Sequence, residues 1–446
     1  MNKKNILELL IAISILLIFY FLPTPSGLTY KGKMMVATLL FGTFLFITEC
    51  LPLGISGLLV MIVPSIFGVF DSIQIFRFFG NEAVFFLIGA FILAGGFQKS
   101  GLHIRIARNF LKFFGKSSKL YIFGILLLGT FLSFMMSEHA VVILLLPIIQ
   151  FSLMNTEKGS NIGKAGMISL SYGCSIGSIA TLLGGARNPY TIAFLHENYG
   201  ISMGFLDWMK MSIPVTLIMI PIIWFIITFV HKPNKIQLPE IEKKKITKKE
   251  IEAIGIIIFT ISLLISLKHW GVAVSVIIGA ALMFIFGIVE WKDIEKSMPW
   301  GIILLYGGAM TLGKGLQITG ASIWIANNII SLIGKNPHLI LFALILITVM
   351  MTEVMSHAAV VALMLPIGAG IASVSGLNII ITTMSIALAG GFGFALLIGT
   401  PGNLITYSTG YFRQKDILKT GIIADLLGVF VIFLVANTIW HYIGVW

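Results

Sequence analysis

Two short polar clusters recur in this otherwise apolar chain at a constant spacing. The segment SEHAVVILLLPI begins at Ser137 and SHAAVVALMLPI begins at Ser356, an offset of 219 residues. The same offset aligns GAFILAGGFQKSG from Gly89 with GAMTLGKGLQITG from Gly308. A long internal repeat in an apolar chain is typical of transporters built from two structural repeats. The paired polar clusters are therefore the candidate site.

Each cluster carries two hydroxyl side chains one helical turn apart. They are Ser133 with Ser137 and Thr352 with Ser356. Hydroxyl, amide and unwound carbonyl oxygens are the ligands that a monovalent cation such as sodium accepts. Small hydroxyl residues also let membrane helices pack closely, which is the simpler explanation of an isolated Ser-x-x-x-Ser pattern. Their duplication at matching positions favours two cation half-sites.

A glycine-rich break interrupts an apolar segment after each cluster. The breaks read GGARN at 184–188 and GTPGN at 399–403. Helix N-termini at such breaks offer N–H donors and a positive dipole end to an anion, whereas unwound carbonyls face cations. Two half-sites that face each other would hold both kinds of ion.

Ionisable side chains lie at membrane depth in the same segments. They are Glu138, His139, Arg187 and His357, and such groups are costly in a membrane and functional by default. Glu138 has three open roles: a sodium ligand, a partner of Arg187, or the carrier of a coupling proton. A Glu138–Arg187 ion pair that only fixes the hairpin to the broken helix is the structural alternative. Glu353 lies near the end of a span, which favours a solvated or structural role.

The composition places the whole chain in a membrane. Hydrophobic residues make up 57% and charged residues 11% of the 446 residues, and the mean hydropathy is +1.01. Apolar runs of roughly 17 to 25 residues, long enough to cross the hydrocarbon core, recur along the chain. The net charge is +12. If the N-terminus is cytoplasmic, most of the lysines and arginines lie on the cytoplasmic side of the membrane, as the positive-inside rule requires. We expect a multi-pass protein of the cell membrane, with its C-terminus outside and no nucleic-acid partner.

Other function classes lack their motifs. The sequence contains no H-E-x-x-H or Cys-x-x-Cys pattern for a metalloenzyme and no phosphate-binding G-x-x-x-x-G-K-[ST] loop for an ATP-driven pump. A passive channel is disfavoured by inverted repeats and by the lack of a fourfold filter motif. Cys50 and Cys174 lie in or beside apolar runs and are expected to be packing residues. These points predict a transporter rather than an enzyme, with no cofactor other than its coupling ions.

Hydropathy predicts an all-α fold in two halves. An odd number of spans separates the two hairpins, so the repeats are expected to be inverted. We expect a first span and loop at 1–33, a first repeat at 34–231, a basic cytoplasmic linker at 232–251 and a second repeat at 252–446. The predicted elements are spans at Ile6–Leu22, Met34–Cys50, Gly54–Phe70, Ala83–Phe97, Ser212–Val230, Ile254–Leu267, Val272–Val289, Ile302–Leu316 and Ile422–Tyr442, an interfacial helix after Ile104, hairpins at Tyr121–Gln150 and Leu339–Ile371, and broken helices at 162–190 and 378–407.

The paired clusters and breaks resemble the divalent anion/sodium symporter family of citrate, dicarboxylate and sulfate carriers. The resemblance covers essentially the whole chain, including the prolines Pro147 and Pro366 that follow the two clusters. It implies about eleven transmembrane helices with two opposed re-entrant hairpins and two broken helices, a homodimer and an elevator-type motion. It also implies a Ser-Asn-Thr motif at each hairpin tip.

Residue by residue, the resemblance defines two sets of site residues. This chain departs from the family because Glu-His and His-Ala replace Asn-Thr at the two tips, and because Arg187 stands where the family usually has proline. The predicted cation-site residues are Ser133, Ser137, Glu138, Gly184, Asn188, Thr352, Ser356, Gly399 and Asn403. The predicted anion-site residues are Glu138, His139, Gly185, Arg187, His357, Ala358, Thr400 and Pro401.

The function that these residues predict is secondary active transport of a small divalent anion, such as a dicarboxylate or sulfate, coupled to sodium. Two alternatives stay open because the tip residues differ from the family pattern. One is an anion carrier coupled to protons, and the other is a cation/proton antiporter of the same clan.

Overall fold

The computed structural model describes residues 3–234, 245–267, 270–442 and 444. Helices and their connections make up these ranges, without any strand. The helices before the linker are α1 (Lys3–Phe21), α2 (Tyr30–Thr48), α3 (Leu53–Ile66), α4 (Ser72–Phe79), α5 (Glu82–Ser100), α6 (Leu102–Phe114), α7 (Ser118–Leu132), α8 (Glu138–Ser152), α9 (Asn161–Ser178), α10 (Arg187–Tyr199) and α11 (Phe205–His231). Those after it are α12 (Lys248–Ser266), α13 (Val272–Ile285), α14 (Trp291–Ser297), α15 (Trp300–Ile318), α16 (Ala321–Ile333), α17 (Pro337–Thr352), α18 (His357–Ser375), α19 (Ile379–Ala389), α20 (Pro401–Tyr407), α21 (Gln414–Asn437) and α22 (Ile439–Tyr442).

The predicted spans, hairpins and broken helices form helices near the expected positions. Six helical segments of the described chain are long and apolar enough to cross a membrane, so the expected all-α membrane fold is confirmed. The number of about eleven spans stays a prediction. Residues 235–244 of the predicted linker and the C-terminal Trp446 lie outside the described residues.

Three short helices were not predicted from the hydropathy pattern. They are α4, α14 and α16. The signal for α4 was present in the sequence, because Asp71 and Gln74 form a reciprocal capping box at its start. Hydropathy alone overlooks such helices since they are too short to form a span.

The internal repeat of the sequence is visible in the order of the helices. Five pairs of helices begin 219 residues apart, and each pair has the same place in its half. The paired first residues are Leu53 and Val272, Ser72 and Trp291, Leu102 and Ala321, Ser118 and Pro337, and Glu138 and His357.

The two halves contact each other along two tightly packed seams. Helix α3 of the first half packs on α15 of the second, and α13 of the second packs on α5 of the first. Glycines permit this approach, because a Cβ on Gly57 would lie 2.5 Å from the Cα of Leu305, and one on Gly308 would lie 2.4 Å from the Gly57 carbonyl oxygen. On the other seam, a Cβ on Gly89 would lie 3.0 Å from a Val276 methyl group. Close backbone contact of this kind is how small residues join membrane helices.

The hairpins and broken helices of the two halves also pack on each other. Each broken helix packs on the second arm of the hairpin in its own half, α9 on α8 and α19 on α18. The helix after each break packs on the hairpin arm of the other half, α20 on α8 and α10 on α18. This exchange brings both hairpin tips and both breaks to one place inside the protein.

Candidate functional site

An asparagine holds each break in the same way. Asn188 Nδ2 donates to the carbonyl oxygens of Ser178 at 2.8 Å and Thr181 at 2.7 Å. Asn403 Nδ2 donates to those of Gly393 and Leu396, both at 3.0 Å. In both breaks the acceptors lie ten and seven residues before the asparagine, so the amide closes the unwound segment into a loop.

The two asparagines differ in whether the side-chain oxygen Oδ1 accepts a hydrogen bond. Asn403 Oδ1 accepts a hydrogen bond of 2.6 Å from Ser171 Oγ of α9. Asn188 Oδ1 is buried and has no hydrogen-bond partner. Both asparagines were predicted to be cation ligands. Of the two, Asn188 is therefore the one whose side-chain oxygen is free to bind an ion.

The first predicted cation half-site brings backbone oxygens together around Gly184. A Cβ at this glycine would lie 2.5 Å from the Ser133 carbonyl oxygen and 2.6 Å from the Ser178 carbonyl oxygen. Ser133 is fully buried. Ser137 lies at the N-cap position directly before α8 without capping the helix through its side chain, and its Oγ lies 3.3 Å from His139 Nε2. Oxygens from the hairpin and the break thus converge where the sequence predicts a cation.

The second half-site has a matching arrangement around Gly393 and Gly399. A Cβ at Gly393 would lie 3.3 Å from the Thr352 carbonyl oxygen and 3.4 Å from the Gly399 carbonyl oxygen. A Cβ at Gly399 would lie 2.9 Å from the Gly393 carbonyl oxygen and 3.0 Å from Glu353 Oε2. Ser356 caps α18 by accepting a bond of 3.4 Å from the Ala359 N–H. A side chain at Gly399 would therefore crowd these oxygens, whereas the contacts at Gly393 are close to ordinary van der Waals distances.

A buried polar cluster joins the two half-sites. Glu138 Oε1 lies 3.1 Å from His357 Nδ1, so the equivalent residues of the two repeats contact each other. Ser178 Oγ donates to Glu138 Oε2 at 3.1 Å and accepts a bond of 2.7 Å from Arg187 Nη2. Among the ion pairs of the described residues, Glu138 pairs with His357 and not with Arg187. The direct Glu138–Arg187 pair that the sequence left open is therefore replaced by a bridge through Ser178.

Sequence reasoning did not select Ser178. Its signal was weak because it is one of several serines on α9, among them Ser169, Ser171 and Ser175, all of them buried. It differs from them because it is the last residue of the helix, immediately before the break.

Arg187 is a buried cation between the two breaks. Its exposed fraction is 3%. A Cβ on Gly185 would lie 3.0 Å from Nη1, and one on Gly391 would lie 2.5 Å from Nη2. The guanidinium therefore fits between glycines of both halves. Its Nε has no hydrogen-bond partner, and a buried guanidinium with an unused N–H suits an anionic oxygen.

The other predicted anion-site residues lie at the starts of α8, α18 and α20. Thr400 Oγ1 accepts a bond of 3.0 Å from the Asn403 N–H and caps α20, which Pro401 begins. His139 and Ala358 lie in the first turns of α8 and α18. That these four residues contact an anion stays a prediction.

Two carboxylates hold the second break from outside the predicted set. Glu353 accepts the Ala395 N–H at 2.9 Å and the Leu396 N–H at 2.5 Å. Asp425 Oδ1 on α21 accepts the Phe394 N–H at 3.2 Å. Glu353 lies at the end of α17, as expected, and of the solvated and structural roles left open it has the structural one, because it holds the unwound segment.

A cavity of about 550 Å³ lies beside the first break. It is formed between α10 and the start of α13, and its lining includes Pro189, Ile192, Met203 and Val272. Pro189 directly follows Asn188 in the sequence.

This fold is that of a secondary transporter: its two halves share one order of helices, and two hairpins and two broken helices meet at a buried polar cluster. The chain belongs to the family described as the sodium:sulfate symporter transmembrane region, whose model matches residues 3–446. The family resemblance predicted from the hairpin clusters is thereby confirmed.

Curated relatives agree with this assignment, and solved structures share the fold. Sodium-dependent dicarboxylate transporters SdcS from Staphylococcus saprophyticus and Staphylococcus aureus strain USA300 are each 26% identical over 450 residues, which is 92% of this chain and 86% of the relative. The YdaH transporter of Alcanivorax borkumensis has a similar fold, with a TM-score of 0.59 and 10% identity over 80% of this chain and 85% of that one. MtrF of Neisseria gonorrhoeae also has a TM-score of 0.59, with 13% identity over 97% of this chain and 95% of that one.

Proposed function

We propose that this chain transports a small divalent anion, a dicarboxylate or sulfate, in symport with sodium. Arg187 is the observation that carries the proposal: a buried guanidinium with a free Nε lies between the breaks of both halves. The relatives' printed name, sodium-dependent dicarboxylate transporter, supports the same substrate class.

Sodium ions take the two oxygen-lined half-sites in this proposal. The carbonyl oxygens of Ser133 and Ser178 serve one ion together with Asn188 Oδ1, and those of Thr352 and Gly399 serve the other. Sodium would bind before the anion, because each cation fixes a break on which the position of Arg187 depends. The coupling thus arises from cations that order the segments that hold the anion.

The negative charge of Glu138 must be compensated for a dianion to bind nearby. His357 contacts Glu138 directly, and Arg187 is linked to it through Ser178. These contacts let the cluster hold a carboxylate without repelling the substrate at full strength.

The larger assembly in our proposal follows the family resemblance. The protein forms a homodimer in the lipid bilayer, with a cytoplasmic N-terminus and an external C-terminus. The hairpins and broken helices move as one elevator-type body against the remaining helices.

Counterflow uptake into proteoliposomes tests the function. Sulfate, phosphate, succinate, malate, citrate and 2-oxoglutarate are compared under imposed sodium or proton gradients, with protein-free vesicles as the control. We expect a divalent anion to exchange and an inward sodium gradient to accelerate its uptake. Uptake driven by a proton gradient alone, with no effect of sodium, would replace sodium by the proton as coupling ion.

A further inference from the structure

Two short helices have equivalent places in the two repeats, each between a long helix and a hairpin. Helix α6 follows α5 and leads into the first hairpin arm α7, whereas α16 follows α15 and leads into α17. Each short helix has 13 residues and begins directly after a glycine with positive φ, Gly101 at 79° and Gly320 at 72°. The chain therefore enters both hairpins through a tight turn and one short helix.

The fourth residue of each short helix donates a hydrogen bond to a backbone carbonyl from the other half. Arg105 Nη2 of α6 donates to the Lys245 carbonyl oxygen at 2.6 Å, shortly before α12. Trp324 Nε1 of α16 donates to the Ser26 carbonyl oxygen at 3.1 Å, shortly before α2. The two donor residues lie 219 residues apart, and so do the two acceptor residues. The two links are therefore equivalent under the same offset that relates the repeats.

The link at α6 is stronger than the link at α16. Arg105 also binds Glu250 of α12 with two parallel bonds, Nε to Oε1 and Nη2 to Oε2, both at 2.9 Å. The Glu250 side chain in turn accepts the Thr247 N–H at 2.6 Å and so caps α12. Trp324 has a single side-chain donor, the indole N–H. A bidentate charged pair exceeds one neutral hydrogen bond in strength.

The link recurs although the residues that form it differ between the repeats. Arginine and tryptophan share an N–H donor on a long side chain. Lys245 and Ser26 lie outside helices, where a carbonyl oxygen takes its partner from another part of the chain. Helices as short as α6 and α16 depend on contacts with other elements for a fixed position. The recurrence of such a contact at one offset indicates a shared purpose for the two links.

We propose that Arg105 and Trp324 are paired positioning residues, each of which fixes the short helix before one hairpin to the opposite half of the protein. The hydrogen bonds described here lie outside the polar cluster of Glu138, Arg187 and His357, so they act on the site only through the hairpins. A hairpin that moves during transport then moves against a fixed end. This effect on transport rests on the proposed function, whereas the two links do not.

One variant at each position removes the link and keeps the bulk of the side chain. Trp324→Phe deletes the indole N–H and keeps an aromatic ring. Arg105→Met deletes every donor and keeps a long unbranched side chain. Asn327→Ala on α16 and Lys112→Met on α6 are the matched controls, because both residues are exposed on the same helices.

Hydrogen exchange of the purified full-length protein tests the links themselves. Trp324→Phe should speed amide exchange about threefold in α16 and in the loop before α2, because one neutral hydrogen bond is lost. Arg105→Met should speed exchange about tenfold in α6 and at the start of α12, because charged hydrogen bonds are lost. Each variant should leave the other short helix unchanged, and both controls should match the wild type.

Initial rates of succinate uptake into proteoliposomes test the role in transport. We expect Trp324→Phe and Arg105→Met to lower the maximal rate per folded protein about threefold and about tenfold. The succinate and sodium concentrations for half-maximal uptake should stay unchanged, since the site keeps all its residues. Arg105→Lys should recover part of the rate, because an ammonium group still pairs with Glu250 but cannot form two parallel bonds.

The two measurements separate the inference from the proposed function. Wild-type exchange in α16 of Trp324→Phe, or in α6 of Arg105→Met, would overturn the links. Faster exchange with a wild-type maximal rate would overturn their role in transport, as would a raised half-maximal concentration, which would assign the residues to the binding site. A wild-type protein that takes up no succinate would count against the proposed function, whereas the exchange result would still decide the links.

Discussion

At the scale of single residues, Arg187 is the buried cation at the centre of the candidate site. The guanidinium is buried between Gly185 and Gly391, donates to Ser178 and keeps Nε free. A charged donor of this kind contributes about 1.5–3 kcal/mol to each hydrogen bond that it makes. The residue therefore has enough binding energy to decide the affinity for an anion.

Arg187→Gln should raise the anion concentration for half-maximal uptake by tenfold or more, because that range of energy corresponds to at least a factor of ten. The sodium concentration for half-maximal uptake should change little, since the carbonyls of both half-sites remain. Initial rates over a matrix of anion and sodium concentrations provide the measurement. The exposed Arg77 on α4 supplies the control variant Arg77→Gln. A larger effect on sodium than on the anion would show that Arg187 does not bind the substrate.

At the scale of secondary-structure elements, the two breaks share one pattern of asparagine hydrogen bonds but differ in the other contacts that hold them. Each has an asparagine that holds carbonyls ten and seven residues before it. The second break is additionally held by Glu353 and Asp425 through three backbone N–H groups. The first break is held instead by side chains of α11, because Trp208 Nε1 donates to the Ile179 carbonyl oxygen at 2.9 Å and Ser212 Oγ donates to the Ala180 carbonyl oxygen at 2.7 Å.

Gly184→Ala should abolish sodium-dependent uptake, because the methyl group would meet the Ser133 and Ser178 carbonyl oxygens at 2.5 Å and 2.6 Å. Those oxygens belong to backbone and cannot rotate away as a side chain would. Gly255→Ala on α12 is the control, since nothing lies within 4 Å of its Cβ. It should transport normally and gain up to about 1 kcal/mol of helix stability. Membrane level and uptake are measured together, and normal sodium-dependent uptake by Gly184→Ala would exclude this half-site.

At the scale of the whole molecule, the two halves are joined because helices of each half pack on the other. Polar contacts also join the residues that lead into α12 to α6. Helices α3 and α13 each pack on the opposite half. Arg105 on α6 donates to the Lys245 carbonyl oxygen at 2.6 Å and forms an ion pair with Glu250 at 2.9 Å. The described residues that lead into α12 are thus fixed against the amphipathic helix α6, and the distribution of lysines predicts that both lie on the cytoplasmic side.

Labelling of single cysteines tests this topology. In a background without Cys50 and Cys174, Lys245→Cys should resist an impermeant thiol reagent added outside intact cells and react after the membrane is opened. Lys210→Cys, which the same topology places outside, should react in intact cells. Reversal of the two patterns would invert the orientation of the protein.

The helical elements and their duplication follow from local patterns in the amino-acid sequence. Hydropathy and helix caps depend on residues a few positions apart, so the spans, the amphipathic helix α6 and both breaks could be located from local pattern. The 219-residue offset showed that the hairpins correspond, and it placed Ser133 beside Thr352 in the alignment of the repeats. The hairpin side of both candidate half-sites was therefore predictable.

Only the tertiary structure decided which of these side chains meet. It showed that Glu138 contacts His357, its own equivalent in the other repeat, and that Ser178 separates Glu138 from Arg187. It also showed that Asn403 gives its oxygen to Ser171 while Asn188 keeps its oxygen free. These contacts join residues on different helices, and several join the two halves. Their formation depends on how those helices dock, which no local pattern of hydropathy or spacing records.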